Sequence, residues 1–574
     1  MKLTNKILII ITLMLSITGC SSFLEDEVEH LTEEEIITSG IRSRGLIDDI
    51  YTDYSFSRYL QEFSLETLSD NGVYRNAETP LANLNWGPTN NPYNYVWAQS
   101  YKNIRQIQEY IKLVHDEGLP YLSSEASSDL SDLVVTRYYG EAFFLKAWAE
   151  WELLKIFGGP GPDGTMLGFP IVNEILENDE YALLSRNTYQ ECVDQIMSDL
   201  DVAIANLPLK YTGSDPFSSA ELGRASGLAA YAVKAKVALF AASPAFNLTN
   251  DISKWELAAK YAQDLIDQNG GLVSLKTFNV SNENNSDHIW RLRDSRNSST
   301  LERNLYPPTL YGNGLVNPSQ NLVDAFASKN GYPISDSKSL YDATTPYASR
   351  DSRFYKFIFY NGDKGFTTET ATDFNSLETF QGGLDNFGGF ISNVGTRTGY
   401  YLKKYLYDID LDPTLDPAPA AEPKVYVQLD LTDIYLSYAE AVNEAYGQIE
   451  TAPAGLNYSA KDVIKKIRQR ANIFSDPYLD EVSTDSDKFR DFLKNERRIE
   501  LCFSGERFHD LRRWKDIVNI EDIKGVKITK NNDDTFSYEN ITVEERGYEN
   551  KNYYLPLPYS ELILNPNLKQ NQGW

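Results

Sequence analysis

The stretch GRASGLAAYAVKAKVALFAASP, residues 223 to 244, constrains the fold more than any other part of this chain. Its alanines form helix readily and carry almost no bulk, so neighbouring helices can approach the backbone closely before Pro244 ends it. Other segments share the helical period. From Val96 onward, Trp97, Tyr101, Ile104, Ile107 or Gln108, and Ile111 fall on one face. In RYYGEAFFLKAWAEWELLKIFGG the stripe runs through Ala142, Leu145, Ala149, Leu153 and Ile156, and Gly158-Gly159-Pro160 stops it. The segments WELAAKYAQDLID from Trp255 and LTDIYLSYAEAVNEAYG from Leu431 add two further helices.

Alanine-rich, aromatic-punctuated helices joined in hairpins resemble tetratricopeptide pairs, although no clean repeat of that length is present. The expected fold is mainly α: tetratricopeptide-like helix pairs forming a right-handed scaffold, with long irregular loops and a few short strands. Those loops, roughly residues 70–95, 275–320 and 360–425, are rich in Asn, Gly, Tyr and Pro. Long loops on a rigid scaffold are where function usually sits. No low-complexity linker divides the chain, and Asp408 to Lys424 reads as a surface loop, so a single composite domain is expected.

The first residues, MKLTNKILIIITLMLSITGC, have lysines at Lys2 and Lys6, an apolar run too short to span a bilayer, and small residues before Cys20. That is the layout of an export signal over residues 1–19. The sequence Ile17-Thr18-Gly19-Cys20 also resembles a bacterial lipobox, which would make Cys20 the lipidated first residue of a mature chain 20–574. Beyond it only Cys192 and Cys502 remain, so no disulfide framework is available and the core must hold the fold. The formal charge of −28, from 54 basic and 82 acidic residues, argues against nucleic acid or an anionic polymer as the main partner.

Catalytic machinery is hard to find in the sequence. The histidines His30, His115, His288 and His509 do not fall at a spacing that would put two on one helical face, so no zinc site is expected; DIDLDP, which could hold calcium, lacks the glycine and terminal glutamate of an EF-hand loop and reads as a solvated acidic loop, and no cofactor is expected. No Gly-x-Ser-x-Gly elbow or phosphate-binding glycine loop occurs. A pair of carboxylates suited to glycoside hydrolysis stays open, because sequence does not reveal their separation. The segment ERRIELCFSGERFHDLRRW, residues 496–514, holds the adjacent His509 and Asp510. Neighbours on a helix point apart and make a poor acid/base dyad. A partly buried ion-pair network, with arginines forked onto Glu496, Glu500, Glu506 and Asp510 across a break at Gly505, is the expected role.

The same segment resembles the hallmark of the SusD/RagB family, met here by Glu496, Arg497, Glu500, Leu501, Phe503, Gly505, Arg507, Asp510, Leu511, Arg513 and Trp514. Family-like stretches follow in order along nearly the whole mature chain, among them WAQSYKNIRQ, NPSQNLVDAFASKNGYPI, YAEAVNEAYG and the ending YYLPLPYSELILNPNLKQNQGW. The resemblance implies an N-terminal SusD-like region over about 20–245 and a C-terminal SusD/RagB region over about 270–574. It implies no enzymatic activity, a lipid anchor at the outer-membrane cell surface, and a TonB-dependent SusC-like transporter as partner. It also implies capture of glycan, oligosaccharide or polysaccharide; some relatives capture peptides instead. Glu25, Asp26 and Glu27 resemble the surface-export signal of such lipoproteins.

Sugar recognition needs aromatic faces against ring C–H groups and polar side chains at the edge for hydroxyls. Two loops, Ser69–Tyr95 and Arg303–Gly314, offer both. Trp86 and Tyr74 are the expected faces, with Asp70, Arg75, Asn85 and Asn91 as edge groups, and Tyr306 and Tyr311 completing an arc. The alternative for Trp86 is that it merely plugs its loop onto the scaffold. Trp97, Trp148, Trp151, Trp255 and Trp290 are expected in the core.

Overall fold

The computed structural model describes residues 40–53, 65–76, 86–112, 128–211, 223–276, 287–297, 303–365, 376–406 and 423–574. The leader, Cys20, the acidic residues after it and Asn85 lie outside the described residues.

Helices dominate, and they stack in sequence. Helix α1 (Gly40–Asp53) and α2 (Asn94–Tyr110) pack on α3 (Ser128–Phe157); α3 packs on α4 (Tyr189–Asn206), α4 on α5 (Gly227–Ala242), α5 on α6 (Ile252–Gln268) and α6 on α7 (Leu431–Tyr446). Farther on, α7 carries α8 (Ala460–Arg470) and α9 (Ser486–Glu500), and α10 (Glu506–Arg513) follows. This is the tetratricopeptide-like arrangement of helix pairs that the apolar stripes predict.

The alanine-rich segment is α5, and it sits at the centre. Ser226 caps it, accepting a hydrogen bond from the Ala229 N–H at 3.3 Å, and every residue but Tyr231 is buried. A helix buried on all sides has no polar face on which to put its two lysines. They are satisfied by carboxylates of other helices: Lys234 by Asp201, and Lys236 by Asp433 at 2.5 Å and Glu506 at 2.8 Å. Lys236 thereby ties the helical stack to the start of α10. The stripe residues of α2 and α3 are buried as expected, apart from Tyr101 and Ile111, which are half-buried, and so are the five tryptophans assigned to the core.

Strands are few and come in two-stranded pairs. The pair that matters here joins β1 (Gly72–Tyr74) to β3 (Val316–Pro318), antiparallel with Val73 opposite Asn317; β2 (His288–Asn297) lies between them in sequence. A second pair, β4 (Ile358–Phe359) with β5 (Tyr401–Leu402), sets Phe359 opposite Tyr401. Strand β6 (Pro423–Asp430) pairs with β2, and β7 (Ile523–Lys530) with β8 (Phe536–Glu544) makes a hairpin.

Candidate functional site

The segment 496–514 is structural. Helix α9 ends at Glu500, a turn carries Phe503 at φ 59° and Gly505 at φ 78°, and α10 begins at Glu506. His509 is buried, and burial with Lys155 and Arg512 nearby holds its pKa well below the usual value, so it is neutral. Its neighbour Asp510 is taken by Arg497 at 2.9 Å and Arg513 at 2.8 Å. The expected network exists, but most of its arginines come from elsewhere: Arg353 and Arg468 bind Glu496, and Arg353 and Arg470 bind Glu500.

The structure divides the expected glycan-binding residues into two places. Trp86 is buried at 6% exposure, stacked on Trp574 with ring centroids 5.5 Å apart. Asn91 is buried too: its amide donates to the Pro556 carbonyl at 2.8 Å and its Oδ1 accepts the Tyr93 N–H. These two pin the 86–93 stretch to the C-terminal segment, so the plug reading of Trp86 is the one the structure supports. Asp70 is buried in an ion-pair cluster. Burial would raise its pKa, but Arg498 at 3.0 Å and Arg507 at 2.9 Å hold it well below the usual carboxylate range. Tyr306 is 1% exposed and packs toward Phe359. Each of these four side chains is closed over by partners distant in sequence.

Tyr74, Arg75 and Tyr311 end up together at the surface, because the β1–β3 pairing brings residues 70–76 against 303–318. The Arg75 N–H bonds the Leu315 carbonyl at 2.9 Å, and its guanidinium donates to the Asn313 carbonyl at 2.5 Å. Tyr74 is half-buried, and its carbonyl accepts from Arg397 at 2.9 Å. Tyr311 holds a left-handed backbone, φ 58°, which points to local over-determination by its surroundings. Gly314, also at positive φ, allows the turn to press on the Tyr401 ring, where a Cβ would collide.

Sequence reasoning missed the largest exposed aromatic feature of this face. The loop 376–396 carries Leu384, Phe387 and Phe390 at 48%, 49% and 46% exposure, and the Phe390 ring meets Tyr311 edge-on at 5.4 Å. The loop is folded tightly on itself: Gly389 lies so close to the Leu384 carbonyl that any side chain there would clash. Its buried Asp385 accepts from the Thr309 N–H and hydroxyl, at 2.9 and 2.6 Å, and from the Glu378 N–H at 3.0 Å. The Tyr401 hydroxyl donates to the Asp385 carbonyl at 2.6 Å. So the backbone is fixed while the aromatic rings face solvent, an arrangement that lowers the ordering cost of binding. The signal was present as GGLDNFGGF, phenylalanines punctuated by glycines inside a loop already singled out, but the search for faces was confined to Trp and Tyr.

Two larger concavities lie elsewhere. A groove of about 650 Å³ runs between α4 and α6 over Ala238 and Ala241. A cleft of about 630 Å³ beside α9 and α10 is lined by Asp70, Arg498, Arg507 and other charged groups, with both arginines bound to Asp70. Among the described residues no group of three or more His, Cys, Asp and Glu is placed to hold a metal ion.

Comparison with known proteins places this geometry. Residues 275–574 match the profile of the SusD family, and residues 23–239 match one described as starch-binding associating with outer membrane. SusD-like protein P25 of Formosa agariphila is 23% identical over 592 aligned residues, covering 100% of this chain and 99% of the relative. A SusD-like carbohydrate binding protein of Bacteroides fragilis superposes with a TM-score of 0.70 at 20% identity, over 93% of this chain and 100% of that one. A laminarin binding SusD-like protein superposes with a TM-score of 0.58 at 20% identity, over 93% and 99%.

Proposed function

Since the chain belongs to the SusD family, whose profile for the N-terminal half is described by starch binding and outer-membrane association, we propose that it captures glycan without cleaving it and passes it to a TonB-dependent SusC-like transporter. The observation that carries the reading is the aromatic face made by the exposed Phe390 and Phe387 rings on their hydrogen-bonded loop, with the half-buried Tyr311 beside Phe390. Rings held at about half exposure on a fixed backbone present flat apolar surface to sugar C–H groups. Nearby amides and backbone groups supply hydrogen bonds for hydroxyls. The carbohydrate-binding and laminarin-binding titles of two structural neighbours agree with this. In the same reading Cys20 carries the lipid that anchors the protein at the cell surface, where the transporter waits. Several acyl chains make such an anchor stable, at about 0.8 kcal/mol per buried methylene.

The test is affinity electrophoresis of the soluble protein against a panel of polysaccharides, beside calorimetry with peptide mixtures and an assay for new reducing ends. Retardation by a glycan, with no new reducing ends, supports the reading. Binding of peptides alone, or release of reducing ends, rules it out.

A further inference from the structure

The charges bordering the aromatic face have an unusual distribution. The acids of loop 376–396 are engaged within the fold: the buried Asp385 by Thr309 and the Glu378 N–H, and the half-buried Glu378 carboxylate by the Leu384 N–H at 3.1 Å. Two cations beside it, Arg75 and Arg303, have no acid partner among the described residues. Arg75 donates only to neutral acceptors, the Asn313 carbonyl at 2.5 Å and the Asn76 side chain at 3.4 Å. Burial pulls its pKa down, and the one group opposing that is the Tyr401 phenol, not a carboxylate. Arg303 is exposed, and its carbonyl accepts the Asn313 N–H at 2.5 Å. The Arg75 guanidinium and the Arg303 backbone therefore take the two backbone groups of Asn313, two residues from Tyr311. Among the described residues neither lies within 4 Å of a carboxylate, in a chain with 82 acids to 54 bases. Many other arginines are paired with acids, Arg353 with three carboxylates, Arg468 with two, and Arg397, close by, with Glu544, while Arg186, Arg350 and Arg512, held like Arg75 by neutral acceptors, are buried where Arg75 is half-buried and Arg303 exposed.

From this juxtaposition we propose that the face takes an acidic glycan, with Arg75 and Arg303 flanking Asn313 to receive a carboxylate or sulfate on a sugar whose ring stacks on Tyr311 and Phe390. The inference rests on the glycan-capture reading above and specifies its ligand. A guanidinium presents paired donors matched to the oxygens of a carboxylate or sulfate, and a half-buried one without a counter-ion gains most from such a partner. The net charge of −28 does not forbid this. At physiological ionic strength charges farther than about 8 Å are largely screened, so the local pair governs the contact.

The experiment measures affinity of the soluble protein for polygalacturonate or alginate as uronate probes, carrageenan as a sulfate probe, and laminarin as a neutral one, at about 50 and 200 mM salt. The expected result is tighter binding of one acidic class than of laminarin, weakening as salt rises, with the preferred probe telling carboxylate from sulfate. Arg303→Ala, a surface change that leaves the fold intact, should lower that affinity at least about fivefold, and Arg75→Lys should retain more of it than Arg75→Gln. Laminarin bound as tightly, without salt dependence and indifferent to Arg303→Ala, overturns the inference while leaving glycan capture standing. Peptides bound and no glycan overturns both.

Discussion

The segment around α9 and α10 and the loop 376–396 handle their distinctive side chains in opposite ways. In the first, four arginines, Arg353, Arg468, Arg497 and Arg513, are no more than 2% exposed and every one is bound to carboxylates. In the second, the buried Asp385 ties its own loop to Thr309, and the apolar rings are left exposed. Density of charge or of aromatics therefore says little about function in this molecule. What separates scaffold from site is whether the side chains find their partners inside the protein.

That contrast can be broken from either side. The largest effect is expected at Asp510. Its replacement by Ala leaves the buried Arg497 and Arg513 with one carboxylate each, Asp433 and Glu440, and should lower unfolding free energy by about 3 kcal/mol in urea titrations, with glycan affinity of the folded fraction unchanged. Lost affinity at unchanged stability would place the segment among the binding groups instead. Trp86→Ala comes next: removing a ring stacked on Trp574 should destabilise by about 3 kcal/mol and leave affinity alone, because the ring is not available to ligand.

A smaller effect is expected from pH. Burial would raise the Glu496 pKa, but the guanidiniums of Arg353 and Arg468 hold it at about 2, below its ordinary 4.5. A depressed folded pKa means stability that is present above about 4.5 and lost as pH falls toward about 2. Glu496→Gln should therefore be less stable than wild type at neutral pH, and the gap should shrink by on the order of 2 kcal/mol across that window. A gap that stays constant down to pH 2 contradicts the pairing. The smallest effect belongs to the face: Phe390→Ala should weaken glycan binding about tenfold, roughly 1.4 kcal/mol, at nearly unchanged melting temperature.

The helices were legible because their partners are implied by period: Ala142, Leu145, Ala149, Leu153 and Ile156 repeat at helical spacing, and all are buried. The charged segment was legible as a network, though Arg353, Arg468 and Glu440 could not be read as its members, since they arrive from other parts of the chain. The site was only partly legible for the same reason. Tyr74, Arg75 and Tyr311 lie together because β1 pairs with β3, and local sequence carries no trace of that pairing. Trp86, Asn91, Asp70 and Tyr306 carry the right chemistry for sugar, but contacts with Trp574, Pro556, Arg507 and the neighbourhood of Phe359 use it up. Phe387 and Phe390 were not legible because an exposed phenylalanine is recognisable only once the fold shows it about half exposed.

The central claim, that ligand lands on the loop 376–396 face, is tested most directly by hydroxyl-radical footprinting of the soluble protein with and without the polysaccharide that retards it. The account predicts protection of Phe387, Phe390 and Tyr311 and no change at Trp86. Protection confined to the groove between α4 and α6, at Met197 and Tyr261, with the phenylalanines as reactive as before, would contradict it.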